Sequence, residues 1–350
     1  MSNVSTILQL FNTMSQEEQT EFLAKLNTHI PVVENGSKTY ASRNEYLAES
    51  KGDKLYCPHC ASEHVVKHGS KQGTQRYRCR GCGKTFCLAT NTLLAWTQKD
   101  ISIWRKYISC MMEGLSIRKA AEKCGIHRDT SFAWRHKILD ALQNMAESIN
   151  LDGIVEADET YFRVSYKGNH KKSSNFTMPR NAKKRGTASK RRGLSREQVC
   201  APCAVNRNGL SIAKISNLGI AGIQDLRFVL GGRIQKESIL CTDKAHSYKI
   251  FSSIEELNLV QMNTGKYTKG MFNIQHINSY HSLLKKFLDK FNGVSTKYLN
   301  NYLIWNNIVN YAKEPECEKK DIFFKFVTTT KTHTICATLS KRDAIPVRGF

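Results

Sequence analysis

Two Cys-x-x-Cys pairs constrain this chain more than any other feature: Cys57 with Cys60 and Cys79 with Cys82, in the stretch CPHCASEHVVKHGSKQGTQRYRCRGCGKTF. Zn²⁺ takes four thiolates tetrahedrally, and each pair can aim two sulfurs at one point while the intervening hairpin closes the other half of the site. A ribbon of this size buries too little to fold by itself, so the metal supplies the folding energy, roughly 10–16 kcal/mol in zinc-finger peptides. Four cysteines fill the site, which leaves His64 and His68 spare, and Cys87 reads as a packing residue. Two disulfides are the competing reading, but MSNVSTILQLF lacks the basic segment and cleavage site of a secretory leader, and the other cysteines are scattered.

The charge balance narrows the partners. Against 30 Asp and Glu stand 53 Lys and Arg, a net charge of +23, and an excess that large repels itself unless a polyanion neutralises it. Nucleic acid is the first candidate. At 350 residues with 40% hydrophobic content, the chain is globular and long enough for two or three domains. No stretch approaches the roughly 18 consecutive apolar residues of a membrane span. The expectation is therefore a cytoplasmic, nucleoid-associated protein with no membrane partner.

Residues 1–50 carry little of the charge. There SQEE has the capping-box form, Ser15 and Glu18 ahead of Phe22, Leu23 and Leu26, which predicts a short amphipathic helix. The ribbon occupies 51–90. Within 100–145, GLSIRKAAEKCGIHRDTSFAWRHKIL fits two helices around a turn at Gly125, the second exposing His127, Arg128, Arg135, His136 and Lys137. That is a helix-turn-helix pattern, with Arg128, Arg135 and Lys137 as candidate DNA contacts.

From 152 the pattern changes to short β-type runs, GIVEAD ending at Asp158, VCAPCAV, GLSIAKIS and SILCTD ending at Asp243, with helices near 221–230 and 278–291. This predicts an α/β domain, with Cys200 and Cys203 as core residues of a buried strand. An insertion at 167–193 holds ten Lys or Arg and no acid, a composition that forms no core and is expected to order on DNA. Its contact candidates are Lys183, Lys184, Arg185, Lys190, Arg191 and Arg192.

Asp158 and Asp243 each stand at the end of a predicted strand. If those strands are neighbours, both carboxylates project from one sheet edge and can share divalent metal ions, as in phosphodiester chemistry. Glu156 alternates onto the same face as Asp158 and offers a further ligand, whereas Glu159 points the other way. Glu255 and Glu256 are stand-ins for a third ligand but read as surface helix. Further on, HINSYHSLLKKFLDKF opens a helix at Asn278, with Lys285 two turns along the same face.

These motifs in this order resemble the zinc-ribbon DDE-type transposases of bacterial insertion sequences, an ISXO-like group in which Asn replaces the third acidic residue in some members. The resemblance runs from Cys57 to about Tyr311. It implies a ribonuclease-H-like catalytic domain over 150–312 behind the ribbon and helix-turn-helix, with 313–350 as a tail. It also implies Asp158, Asp243 and Asn278 as ligands of Mg²⁺ or Mn²⁺ and Lys285 on the DNA beside the scissile phosphate. The implied reaction is nicking at transposon ends followed by strand transfer. The implied partners are duplex DNA, as terminal inverted repeats and target, and further copies of the chain on those ends. A sequence-specific DNA-binding protein derived from a transposase, without catalysis, is the second reading, which Asn278 keeps open.

Overall fold

The computed structural model describes residues 43–51, 55–169, 177–179, 194–263, 268–310, 316–332 and 334–348. The expected helix around Ser15–Glu18 and the six basic contact candidates between Lys183 and Arg192 lie outside those residues. The chain divides into two compact units, Met1–Ser109 with Lys320–His333, and Cys110–Lys319 with Thr334–Phe350.

The first unit contains α1 (Arg43–Lys51) and a three-stranded antiparallel sheet of β1 (Val65–Lys71), β2 (Thr74–Cys79) and β3 (Thr85–Phe86). β1 and β2 pair up to Lys71 and Thr74, across a two-residue loop in which Gln72 and Gly73 have φ of 49° and 71°. Two positive φ values in succession are what a tight hairpin between twisted strands requires, and glycine takes the second at no steric cost. Its small core consists of Cys57, Cys79 and Phe86 with Leu55, Val65 and Tyr77 packed against them. The tail segment belongs with this unit because Tyr46 packs on Phe324 at 5.3 Å and its hydroxyl lies 2.6 Å from that of Thr328. The boundary between the units falls inside α2 (Ile101–Met112).

In the second unit follow α3 (Ile117–Cys124), α4 (Arg128–Glu147), β4 (Ile154–Arg163), β5 (Gln198–Asn206), β6 (Ser211–Ala213) and α5 (Ile223–Leu230). Then come β7 (Ile239–Thr242), α6 (His246–Ile254), β8 (Asn258–Gln261), a small hairpin of β9 (Thr268–Lys269) and β10 (Phe272–Asn273), α7 (Gln275–Asp289) and α8 (Leu299–Val309). The sheet order is β6-β5-β4-β7-β8. β4, β5 and β6 run antiparallel in turn, whereas β7 and β8 lie parallel to β4.

Alternation along β4 separates two chemistries. Val155 and Ala157 join a buried cluster with Leu226, Val229 and Leu230 of α5 and Tyr248 and Phe251 of α6. Glu156 and Asp158 point to the opposite face, where they meet α7. The expectation that Cys200 and Cys203 are core residues matches their position in β5, where both are fully buried.

The helical pair forms as the sequence predicts. Ser116 caps α3 by accepting the Lys119 N–H, and Gly125 ends it at φ 61°, the left-handed conformation that glycine favours. The exposure of α4 differs from the expectation. Between Arg128 and Lys137 only the first turn is free: Arg128 is exposed, Lys137 is half-buried, and Arg135 and His136 are buried. Arg135 donates to the Leu115 carbonyl at 2.7 Å and lies over the Trp305 ring at 4.8 Å. A planar, weakly hydrated guanidinium can be stacked inside in this way. α4 packs along α8, where Asn301 donates to Asp140 at 2.9 Å and the His136 ring meets that of Tyr302, and its Ile138, Leu139 and Leu142 are buried in the core of the unit. Arg135 and His136 are therefore structural residues and not exposed DNA contacts.

Candidate active site and metal centres

In the ribbon, the Cys57, Cys60, Cys79 and Cys82 sulfurs all lie within 4.8 Å of one another. Two backbone N–H groups point at sulfur, His59 at Cys57 (3.4 Å) and Cys82 at Cys79 (3.5 Å). The Cys82 N–H and the neighbouring cysteines hold the Cys79 thiol down at about 6. Four convergent soft donors, two of them served by amide N–H groups, fit one tetrahedral Zn²⁺.

In the second unit, β4 and β7 pair in parallel through Ile154 with Ile239, Val155 with Leu240 and Glu156 with Cys241. The same register carried two residues on sets Asp158 beside Asp243, so the two strand-end aspartates share one edge. Asp158 is pushed up to about 6, by burial first and then by the charge of Asp243, while Lys285 on α7 opposes the shift. The Glu159 N–H donates to Asp158 Oδ1 at 2.9 Å, and His281 Nδ1 lies 3.7 Å from Oδ2. Asp158, Asp243 and Lys285 are thus brought together. Asn278, one helical turn before His281, is exposed on the same helix.

Three sequence expectations need correction here. The first concerns Glu156, whose side chain is 1% exposed and whose carboxylate is saturated. Oε2 accepts the His276 and Ile277 N–H groups at 2.8 and 3.1 Å, and Oε1 meets Arg207 at 3.0 Å and the His276 ring at 2.9 Å. No oxygen is left to bind a metal. Instead, Glu156 satisfies the orphan donors at the start of α7, where a negative charge is favoured by the helix dipole. The second concerns Asn278. α7 begins at Gln275 with Ile274 as its N-cap, so Asn278 lies inside the helix, its N–H directed to the Ile274 carbonyl at 3.3 Å. It is not a cap. The third concerns Glu255 and Glu256, which are engaged elsewhere: Glu255 accepts the Gly232 N–H at 2.7 Å, and Glu256 pairs with Lys236 at 2.8 Å.

Glu159 points away from α7 toward Tyr248, as the alternation requires. Burial and then the charges of Asp158 and Asp243 raise it to about 7. His281 was not visible in the sequence as a functional residue. It is buried, its Nε2 has no hydrogen-bond partner among the described residues, and burial together with the Lys285 charge holds its ring down at about 4. The ring is therefore neutral at physiological pH. Only its spacing from Asn278 and Lys285, on one helical face, points to it.

Residues 150–304 match the ISXO2-like transposase domain. A protein of Halobacterium salinarum described as an uncharacterized protein in transposable element ISH50 is 25% identical over 252 residues, covering 71% of this chain and 83% of that one. Both findings support an insertion-sequence transposase of the ISXO2-like group. Among solved structures, the Mos1 transposase paired-end complex is 12% identical over 65% of this chain and 79% of that chain, with a TM-score of 0.21. A pre-cleavage Mos1 transpososome is 10% identical over 92% and 100% of the two chains, with a TM-score of 0.22. Likeness that loose decides nothing about the fold. Among the described residues, no helix is long and apolar enough to cross a membrane.

Proposed function

We propose that this chain is an insertion-sequence transposase that binds the ends of its element and cleaves DNA there with divalent metal, the freed 3′-OH then attacking a target phosphodiester. The observation that carries the reading is the pairing of Asp158 with Asp243 at one edge of the sheet, opposed by Lys285. The strand order, three antiparallel strands followed by two parallel to β4, supports a ribonuclease-H-like domain. The +23 charge supports a DNA partner.

The donor set suits a hard cation. Asp158 and Asp243 bring anionic oxygens and Asn278 a neutral carbonyl oxygen, the ligand types that Mg²⁺ and Mn²⁺ prefer. Burial first, and then the charge of Asp243, raise the pKa of Asp158, and Lys285 only partly opposes them. When bound, the ions would activate the attacking oxygen and stabilise the leaving one. Lys285 would contact the phosphate backbone beside the scissile bond. His281, neutral and packed against Asp158, would hold that carboxylate in place. Asn278 cannot accept a proton as a base, so the nucleophile's proton passes to solvent or to a phosphate oxygen. The four ribbon cysteines would hold a structural Zn²⁺, and Arg128 at the exposed start of α4 would contact DNA.

The test is nicking of a supercoiled plasmid carrying the element's terminal repeats. The reading expects repeat-dependent nicks with Mg²⁺ or Mn²⁺ and none with EDTA. Tight repeat binding with no nicking under any divalent ion would instead favour a DNA-binding protein without catalysis.

A further inference from the structure

A cleft of about 1150 Å³ opens in the second unit, away from the paired aspartates. Four separate parts of the chain wall it: the α3–α4 pair through Arg118 and Arg128, the short stretch after β4 through Lys167, the turn after α7 through Lys290 and Lys297, and the C-terminal segment through Lys341 and Arg342. Only Asp129 and Asp343 bring negative charge to this lining, and Asp129 is already shared between Arg128 at 3.2 Å and His127 at 3.7 Å. Arg118, Lys290 and Lys341 are exposed, and among the described residues none of the three is in an ion pair.

Arg342 is paired with Asp140, whereas the bonds made by Lys297 and Lys167 hold the cleft's walls without neutralising their own charge. Lys297 donates to the Ser340 carbonyl at 2.8 Å, tying the C-terminal segment to the turn. Lys167 donates to the carbonyls of Asn292 and Gly293 at 3.0 and 2.7 Å. Carbonyls fix an ammonium in position without cancelling its charge. Lys167 is also the first residue of the insertion with ten cations, so that insertion is rooted at the rim of the cleft.

Position relates the cleft to the catalytic edge. Asn278 and Lys290 stand at opposite ends of α7, about 18 Å apart at a rise of 1.5 Å per residue. That is the span of roughly five base pairs at 3.4 Å per phosphate along one strand. Lys285 and Lys286 are exposed between them. A duplex held at the aspartates can therefore continue along α7 toward the cleft.

We propose that this cleft is a second DNA site, gripping the phosphates of the duplex about five base pairs from the bond to be cut. The proposal rests on the reading of the chain as a DNA-cleaving transposase and adds where the flanking duplex is held. Charge complementarity selects the occupant, because a concave surface with this excess of cations matches a polyphosphate and not a protein or an apolar ligand.

The experiment compares binding of a long labelled duplex of mixed sequence across a salt series. The triple variant Arg118→Gln, Lys290→Gln, Lys341→Gln is set beside a control triple of exposed cations outside the cleft, Arg196→Gln, Arg227→Gln, Lys249→Gln. Both triples should melt within a few degrees of the parent, since all six side chains are exposed. The cleft triple should flatten the slope of log affinity against log salt by about 0.9 per lost phosphate contact, hence about 2.7, and the control should leave it unchanged. Equal slopes for parent and cleft triple, or equal losses in both triples, would overturn the proposal. Metal-dependent nicking by the parent is scored in parallel. If the parent nicks while the cleft triple binds normally, only the cleft assignment falls; if the parent does not nick, the reading beneath it falls instead.

Discussion

Glu156 and Asp158 stand two residues apart on the same face of one strand, and the structure gives them opposite environments. The Glu156 carboxylate is saturated by Arg207 and the first turn of α7, whereas Asp158 faces Asp243 across the sheet edge with its charge only partly offset. One carboxylate fixes where the helix starts. The other is left available. Since α7 carries Asn278, His281 and Lys285, Glu156 sets their height relative to Asp158.

Glu156→Gln should therefore keep the fold but weaken the grip on α7, because an amide cannot accept from all four donors at once. Cleavage should fall about 10–100-fold with DNA affinity little changed, as for partners that orient metal ligands. Glu156→Ala should also lower stability by about 3 kcal/mol, from stranded buried donors and an unpaired Arg207. Equal loss of binding and cleavage in Glu156→Gln would argue against a positioning role.

The ribbon should hold about one Zn²⁺ per chain, the usual stoichiometry of a four-cysteine structural site. Cys57→Ser should release it and weaken binding to element ends, while the second unit, whose core is built from other residues, melts as before. Elemental analysis of freshly purified protein checks the first point, and zinc-free protein would refute it.

Asp158 and Glu159 give metal binding a defined pH dependence. Burial raises them to about 6 and about 7, from ordinary values of 3.8 and 4.5. A raised carboxylate pKa means that the metal-free native state binds more protons than the unfolded chain across this window. Its stability contribution is thus present at low pH and lost as pH rises through the folded values. A divalent cation needs the ionised form and restores what is lost. Mn²⁺ should raise the melting temperature more at pH 7.5 than at pH 5, and the difference should shrink in Asp158→Asn. A shift of equal size at both pH values would contradict this.

How much of this was legible in the chain depends on how local each signal is. The ribbon and the strand-end aspartates were readable because cysteine spacing and strand period are properties of neighbouring residues. The role of Glu156 was not, since its partners Arg207, His276 and Ile277 all lie far along the chain. For the same reason the start of α7 is misplaced in the sequence reading: the His276 and Ile277 N–H groups are served by that distant carboxylate, and only that of Gln275 by a local side chain, Asn273. Arg135 looked like a DNA contact because period alone cannot foresee Trp305 covering a guanidinium. His281 belongs to no motif, and only packing against Asp158 makes it stand out.

Because Asn278 lies inside α7 and not at its N-cap, substitutions there report directly on the site. Asn278→Ser should leave the melting temperature within a few degrees and abolish most nicking. Asn278→Asp should preserve nicking and lower the Mn²⁺ concentration needed, since a carboxylate binds a hard cation more tightly than an amide. Near-normal nicking by Asn278→Ser at unchanged metal concentration would take Asn278 out of the site.

On the proposed function, the paired strand-end aspartates perform metal-dependent cleavage and do not serve DNA binding. The most direct measurement is a side-by-side assay of Asp158→Asn, Asp243→Asn and parent protein, scoring affinity for the terminal repeats and nicking of the same repeats with Mn²⁺. The account predicts that both variants bind as the parent does, or slightly more tightly with one negative charge fewer near the phosphates, and that both fail to nick. Parent-level nicking by either variant would contradict it.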